Sequence, residues 1–322
     1  MLEQFLGSEF DGVISYLYLA IGLGILILCG NLLVTGSVQI ARHFRISTLV
    51  VGLTIVAYVT SAPEMFISVG AALNNAHDIA LGNVIGSNIA NIACIFAMVV
   101  IICPIAVKNR AIAFDYSVML FATVLLFIFG LNGVLGFWEG VSFVLLLISY
   151  TVFSVIKSRK NSASLTIEPA SMNPIIAALM ILAAVVGLYF SSDWFVHGAK
   201  GIARQWGVTE RVIAVSVVAV GTSMPELISS LIAAFRKEAD LSIGNIIGSN
   251  FFNITGVLGV TTVVRSLNIN DQALFISDMA WVFGITVALL LTMIPLSKGK
   301  INRWEGALLL GLFAIYMFIL FN

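Results

Sequence analysis

Apolar residues run along this chain in long blocks, among them Val13 to Leu33, Val118 to Leu131 and Ala307 to Phe321, with polar punctuation between them. Blocks of about 20 residues with few charges predict membrane-crossing helices, because a helix of that length spans the hydrocarbon layer. A membrane β-barrel would alternate apolar and polar positions through short segments, and no such alternation occurs. Read in order, the blocks predict ten spans centred near Gly24, Thr60, Ala90, Val124, Leu147, Ala184, Val220, Gly256, Val287 and Leu310. Their connections are short except the polar mid-chain segment Lys157 to Asn173, KSRKNSASLTIEPASMN. The expected units are therefore a first five-helix repeat over 1–156, a linker over 157–173 and a second five-helix repeat over 174–322.

Composition agrees with the pattern. The 322 residues are 60% hydrophobic and 10% charged, with a mean hydropathy of +1.08. A soluble domain carries about 25% charged residues, so this chain has too little polar surface to cover itself in water. Its net charge of zero argues against a nucleic-acid partner. Cys29, Cys94 and Cys103 lie in apolar stretches without metal-type spacing and are expected as small buried side chains, with no disulfide. The amino terminus, MLEQFLGSEFDG, lacks a basic leader region, so the first helix is expected to direct insertion itself.

Charge also orients the chain. With both termini outside, the loops facing the cytoplasm hold Arg42, Arg45, Lys108, Arg110, Lys157, Arg159, Lys160, Arg236, Lys237, Lys298, Lys300 and Arg303. The outer loops hold Lys200, Arg204, Arg211 and Arg265. Twelve basic residues against four selects this orientation by the positive-inside rule. It makes the 157–173 linker cytoplasmic.

Shifted by 162 residues, the chain overlays itself. VTGSVQIARHFRIS (Val34 to Ser47) meets VHGAKGIARQWGVT (Val196 to Thr209), and VAYVTSAPEMFIS (Val56 to Ser68) meets VAVGTSMPELISS (Val218 to Ser230). IALGNVIGSNIANI (Ile79 to Ile92) meets LSIGNIIGSNFFNI (Leu241 to Ile254). Roughly two in five of about 60 positions are identical without a gap, which marks a duplicated unit. The offset carries five helices, an odd number, so the copies are expected to cross the membrane in opposite directions. Inverted repeats point to an alternating-access transporter with its site near mid-membrane, where the repeats meet.

The chemistry lies inside the repeats. Glu64 and Glu226 each fall in the middle of an apolar span, with no Lys or Arg in the same span. An intramembrane carboxylate costs at least about 2.5 kcal/mol even on insertion scales, unless a cation or a proton neutralises it. Thr60-Ser61-Ala62-Pro63-Glu64 and Thr222-Ser223-Met224-Pro225-Glu226 place a proline beside each acid. Proline removes a helical N–H and displaces the carbonyl four residues back, which frees backbone oxygens at Val59 and Gly221. Carboxylate, carbonyl and hydroxyl oxygens are the ligand set of a hard cation such as Ca²⁺. S-x-P-E also reads as a capping box that restarts a broken helix.

GNVIGSN (Gly82 to Asn88) and GNIIGSN (Gly244 to Asn250) form the second pair. Their glycines suit close helix packing. Asn91 and Asn253 fall one turn after Ser87 and Ser249, on the same helix face, where they read either as ion ligands or as interhelical glue. His77 and His197 stand alone near span ends and are read as non-ligands, and Asp193 as structural or at an aqueous mouth. Trp138, Trp206 and Trp304 fit an interfacial belt. No H-E-x-x-H, G-x-S-x-G or Walker loop occurs, so neither a protease nor an ATP-driven pump has a supporting motif.

With these motifs in spans two, three, seven and eight, the chain resembles the sodium/calcium exchangers of the calcium/cation antiporter superfamily, in a compact prokaryotic form. The α-1 repeat corresponds to 56–92 and the α-2 repeat to 218–254. The resemblance implies Glu64 and Glu226 as central ligands shared by Ca²⁺ and Na⁺, joined by backbone oxygens of Ala57, Thr60, Ala219 and Thr222. It implies Ser61, Ser87, Ser223 and Ser249 as side-chain ligands of flanking Na⁺ sites, with Asn91 and Asn253 beside the cluster. Spans one and six would slide over the other eight. Two positions depart from the family pattern: Val59, preceded by Tyr58, replaces a glycine that the second repeat keeps as Gly221, and position 253 is Asn where potassium-dependent relatives carry Asp. The second departure argues against K⁺ co-transport.

The resulting expectation is an all-α polytopic protein of the cell membrane, with ten helices in two inverted five-helix repeats. It is not an enzyme but a secondary antiporter exchanging Na⁺ for Ca²⁺, with H⁺/Ca²⁺ exchange and a passive cation channel as alternatives. Its expected partners are the two ions and the bilayer, with no cofactor and no protein partner.

Overall fold

The computed structural model describes residues 2–106, 111–162, 169–208, 219–293 and 300–321. The chain opens with α1 (Leu2–Phe44), a 43-residue helix. Next comes a broken element: α2 (Thr48–Val51), a π-helical turn (Gly52–Val56), α3 (Ala57–Thr60) and α4 (Ala62–Leu73). The third element is α5 (His77–Ala90), a π-turn (Asn91–Phe96) and α6 (Ala97–Ile102). After β1 (Ile105–Ala106) come α7 (Ala111–Gly130), β2 (Val134–Leu135) and α8 (Phe137–Ser162).

The second half repeats this order. It runs α9 (Pro174–Gln205), α10 (Ala219–Thr222), α11 (Met224–Phe235), α12 (Ala239–Phe252), a π-turn (Asn253–Leu258) and α13 (Gly259–Val264). It closes with β3 (Leu267–Asn268), α14 (Gln272–Met293), β4 (Lys300–Ile301) and α15 (Arg303–Phe321). The sequence offset recurs in the element boundaries: α5 begins at 77 and α12 at 239, and the π-turns begin at 91 and 253, 162 residues apart in both cases.

Among the described residues, eight helices are long and apolar enough to cross a membrane, and the pair Thr48–Thr60 and Ala62–Leu73, bent by 46°, makes a ninth. The predicted seventh span is represented by α10 and the 12-residue α11; its residues 209–218 lie outside the described residues, as does part of the linker. Among the described residues, four two-residue strands, which the apolar blocks did not predict, close the span ends in antiparallel pairs. Ile105 pairs with Ile301 and Val134 with Asn268, so β1 joins β4 and β2 joins β3. Exchanging the halves maps one pair onto the other.

Burial sorts the helices. The hydrophobic windows of the α5–α6 and α12–α13 elements are 78% and 89% buried, those of the six other long spans between 22% and 39%, with α1 and α9 at 33%. The motif helices therefore form the centre, and α1 and α9 lie outside them, turning Leu17, Ile21 and Leu28 and Leu179, Leu182 and Val186 outward. Such outward apolar faces suit lipid, not water. One apolar core, including Phe96, Phe143 and Phe251, fills the space among α5–α8 and α12–α15. A second, including Leu26, Leu33 and Leu188, lies under α1 and α9. These two outer helices approach closely through glycines: a Cβ at Gly22 would fall 2.6 Å from the Phe195 backbone nitrogen, and one at Gly36 would fall 2.8 Å from the Ala177 carbonyl.

Candidate ion site

Proline builds the site. Pro63 and Pro225 occupy the first turns of α4 and α11, where a missing N–H costs nothing but the helix before it must end. Each break falls on a serine, Ser61 at φ −89°, ψ 9° and Ser223 at φ −94°, ψ 14°. Two kinds of helix end thus meet at each break. The carboxyl ends of α3 and α10 present carbonyls, the negative pole of a helix, and the amino ends of α4 and α11 carry Glu64 and Glu226 in their first turns, where the positive pole stabilises a carboxylate.

The capping-box reading does not hold. Neither Ser61 nor Ser223 makes a side-chain cap hydrogen bond to its own helix. Ser61 Oγ instead donates to Glu226 Oε1 of the other half at 2.9 Å. Ser223 faces Glu64 in the corresponding way without closing a bond, and the two glutamates are electrostatic neighbours. The freed-carbonyl expectation also needs correction in the second half: the Gly221 carbonyl accepts from Ser192 Oγ of α9 at 2.8 Å.

Of the predicted site residues, Glu64, Glu226, Thr60, Ala57, Ser61, Ser223, Ser87, Ser249, Asn91 and Asn253 are all buried. Thr222 is half-buried and lines a cavity between α4 and α9. Ala219 begins the short helix α10. Thr60 Oγ1 lies 3.3 Å from the Ala57 carbonyl and 3.4 Å from Asn245 Oδ1. Asn253 Nδ2 donates across the halves to Asn88 Oδ1 at 3.2 Å, so its nitrogen is interhelical glue while its oxygen stays available. Among the described residues, no hydrogen bond joins Ser87, Asn91 or Ser249 to either carboxylate.

Buried oxygens without partners recur along these motifs. Both oxygens of Glu64, Oε2 of Glu226, the hydroxyls of Ser223 and Ser249 and the amide oxygens of Asn91 and Asn253 have no hydrogen-bond partner among the described residues. Each unsatisfied buried group costs about 1–3 kcal/mol, and native structures rarely leave several together. All are oxygens, so a cation or donated protons would satisfy them. Asn91 and Asn253 each open a π-turn, an irregularity frequent at functional positions.

The motif reading passed over one pair. Asn83 Nδ2 donates to the Glu64 carbonyl at 3.1 Å and to Ser68 Oγ at 2.9 Å. Its counterpart Asn245 Nδ2 donates to the Glu226 carbonyl at 3.4 Å, to Ser229 Oγ at 3.0 Å and to Ser230 Oγ at 2.8 Å. These asparagines hold the backbone of each glutamate, and their recurrence, with Ser68 and Ser230, was the available signal. Gly244 and Gly248 are packing positions: a Cβ at Gly248 would fall 2.6 Å from Leu53 Cα, and one at Gly244 would fall 2.5 Å from the Leu49 carbonyl. That contact seats α12 on the π-turn leading to Ala57.

The remaining singled-out residues lie apart from this cluster. Asp193 is exposed and lines the α4–α9 cavity, the aqueous-mouth alternative. His197 packs edge-on against Tyr18 at 5.3 Å. Cys29, Cys94 and Cys103 are free thiols.

Known proteins share this arrangement. A family model described as sodium/calcium exchanger protein matches residues 14–156 and 176–322. CaxA of Alkalimonas amylolytica is 36% identical over 318 residues, covering 96% of this chain and 99% of its own length. The sodium/calcium exchanger MaX1 of Methanosarcina acetivorans is 28% identical over 352 residues, covering 96% and 99%. A solved structure of the sodium-calcium exchanger NCX_Mj, soaked with 10 mM Na⁺ and 10 mM Sr²⁺, superposes with a TM-score of 0.78 at 32% identity, covering 95% of this chain and 98% of that one. With the family model spanning nearly the whole chain, this protein belongs to the sodium/calcium exchanger family of membrane antiporters.

Proposed function

We propose that this protein exchanges Na⁺ for Ca²⁺ by alternating access, with Glu64 and Glu226 as the ligands both ions share. The carbonyls of Ala57, Thr60, Ala219 and Thr222, the hydroxyls of Ser61, Ser87, Ser223 and Ser249 and the amides of Asn91 and Asn253 complete the ion-binding set. The observation that carries this reading is that two neighbouring buried carboxylates, one from each half, keep three of their four oxygens unpartnered, as do Ser223, Ser249, Asn91 and Asn253 of the same motifs. One Ca²⁺ neutralises both carboxylates; so do Na⁺ ions bound in its place. Without either, two charges stand buried, each costing at least about 2.5 kcal/mol. An empty site therefore resists the change of access, and that resistance couples the two ions. Na⁺ is favoured over H⁺ as counter-ion by the sodium/calcium exchangers among its relatives.

The membrane arrangement belongs to the same proposal: ten spans in two inverted five-helix repeats, 1–156 and 174–322, joined by a cytoplasmic linker over 157–173. Both termini lie outside the cell membrane. The odd helix offset and the distribution of Lys and Arg support it. Purified protein in liposomes is expected to take up ⁴⁵Ca²⁺ when loaded with Na⁺ and diluted into Na⁺-free buffer, and not when only a proton gradient is imposed. Uptake driven by protons alone would replace Na⁺ with H⁺ as counter-ion; uptake with no opposing ion at all would make the protein a channel.

A further inference from the structure

The repeats differ immediately before the site: Tyr58-Val59 in the first, Val220-Gly221 in the second. The Tyr58 ring stacks on Phe252, with centroids 4.4 Å apart and planes 24° from parallel. Its hydroxyl lies 2.5 Å from Thr151 Oγ1 on α8. The Thr151 hydroxyl spends its single proton on the Leu147 carbonyl at 2.7 Å, so Tyr58 is the donor and Thr151 the acceptor.

Both contacts adjoin ion-site residues. Tyr58 lies between Ala57 and Thr60 on the short helix α3, and Phe252 directly precedes Asn253. The Phe252 ring covers Gly256, where a Cβ would fall 2.5 Å from a ring carbon. One residue along α8, Tyr150 donates to Asp115 Oδ1 of α7 at 2.8 Å and packs edge-on against Phe251 at 4.7 Å. The same turn of α8 is thereby fixed to α7 and α12. The Tyr150–Asp115 pair recurs in the second half as Tyr316 and Asp278, but the Tyr58 contact does not. At offset 162 Val220 stands for Tyr58, Ala90 for Phe252 and Cys94 for Gly256, and Met317 stands for Thr151 where Trp138-Glu139-Gly140 aligns with Trp304-Glu305-Gly306 at offset 166. Four changes at four separate places converge on one contact in one half.

We infer that Tyr58 is a positioning residue of the ion site, pinning the Ala57–Thr60 turn and the start of the Asn253 π-turn to α8. It touches no ion; it sets the spacing between ligands contributed by the two halves. In the second half the corresponding turn is held by Ser192 of the outer helix α9 through the Gly221 carbonyl. One share of the site is anchored to α8, the last helix of the first half, and the other to α9, the first helix of the second. This inference rests on the ion-site reading above.

The test is Na⁺-driven ⁴⁵Ca²⁺ uptake in liposomes, with KM and maximal rate measured separately. Tyr58→Phe keeps the stacking ring and removes the donor; KM for Ca²⁺ is expected to rise about 2- to 10-fold, the range a neutral hydrogen bond commands, with the maximal rate retained. Thr151→Val is expected to do the same, Thr151→Ser to restore wild-type KM, and the double variant Tyr58→Phe/Thr151→Val to be no worse than either single one. A folded Tyr58→Phe protein with wild-type KM, or with only a lowered melting temperature, would overturn the inference, as would additive effects in the double variant. Exchange that survives Glu226→Gln removes the ion site itself and this inference with it.

Discussion

Helix α1 lies closed against α11, whereas its counterpart α9 stands away from α4. On the closed side Arg236, at the end of α11, reaches Thr35 Oγ1 at 2.6 Å and Asn31 Oδ1 at 2.8 Å, both on α1. On the open side a cavity of about 370 Å³ is walled by Pro63, Phe66 and Ile67 of α4, by Tyr189, Ser192, Asp193 and Val196 of α9, and by Thr222. The repeat maps Arg236, Asn31 and Thr35 onto Asn74, Asp193 and His197. Those three do not close the cavity here: Asn74 Nδ2 donates to the Gly70 carbonyl of its own helix at 2.8 Å, and Asp193 faces the cavity. Two halves of like sequence thus hold unlike arrangements, and the alternating access proposed above would exchange them. In the proposed orientation the closed side faces the cytoplasm.

The largest expected effect removes what the halves share. Glu64→Gln and Glu226→Gln are each expected to abolish Ca²⁺ uptake while leaving a folded, monodisperse protein, because a neutral amide cannot balance a divalent ion. The pair also tests the comparison. Glu226 accepts from Ser61 whereas neither oxygen of Glu64 has a partner among the described residues, so loss of the Glu64 charge is expected to weaken Ca²⁺ binding at least as much. Isothermal titration of the two variants decides it; retained binding in Glu64→Gln alone would put the centre of the site in the second half.

Much of this was legible before any coordinates. The apolar blocks carry the helices, the prolines carry the breaks, and the recurrence of Glu64 at Glu226 marks the site proposed here, since an apolar span tolerates a carboxylate only for cause. What was not legible depends on partners far apart in sequence. Ser61 reads locally as a helix cap; only the fold shows its hydroxyl 165 residues away, on Glu226. Tyr58 reads as a departure from pattern until Thr151, 93 residues on, accepts from it. Ser192 has no hydroxyl counterpart in the first half, where Gly30 stands, so its bond to Gly221 left no trace in the repeat. Repetition reveals the shared machinery and hides what each half does alone.

Arg236→Ala acts on the difference between the halves and is expected to have an intermediate effect. Removing hydrogen bonds to an exposed guanidinium forfeits about 1 kcal/mol, roughly a fivefold change in a two-state population. The expected direction is toward the form in which α1 leaves α11 and α9 meets α4. With Cys29, Cys94 and Cys103 replaced by serine or alanine, the pair Asn74→Cys and Asp193→Cys is expected to form a disulfide several-fold faster when Arg236 is also alanine. An unchanged rate would mean that the arginine decorates the closed side without holding it.

The smallest expected effect comes from Val59→Gly, which gives the first half the glycine of the second. Glycine within a helix costs about 0.5–1 kcal/mol in backbone entropy, so a modest fall in melting temperature is expected. Ca²⁺ affinity is expected to stay within error, because Val59 packs at the edge of the core under α1 and α9 whereas Tyr58 makes the contacts that fix the turn. Liposome KM values for Val59→Gly and Tyr58→Phe, measured side by side, separate the two residues. If the glycine moves KM and the phenylalanine does not, the difference between the halves lies in backbone freedom at the break, and the tyrosine is a bystander to it.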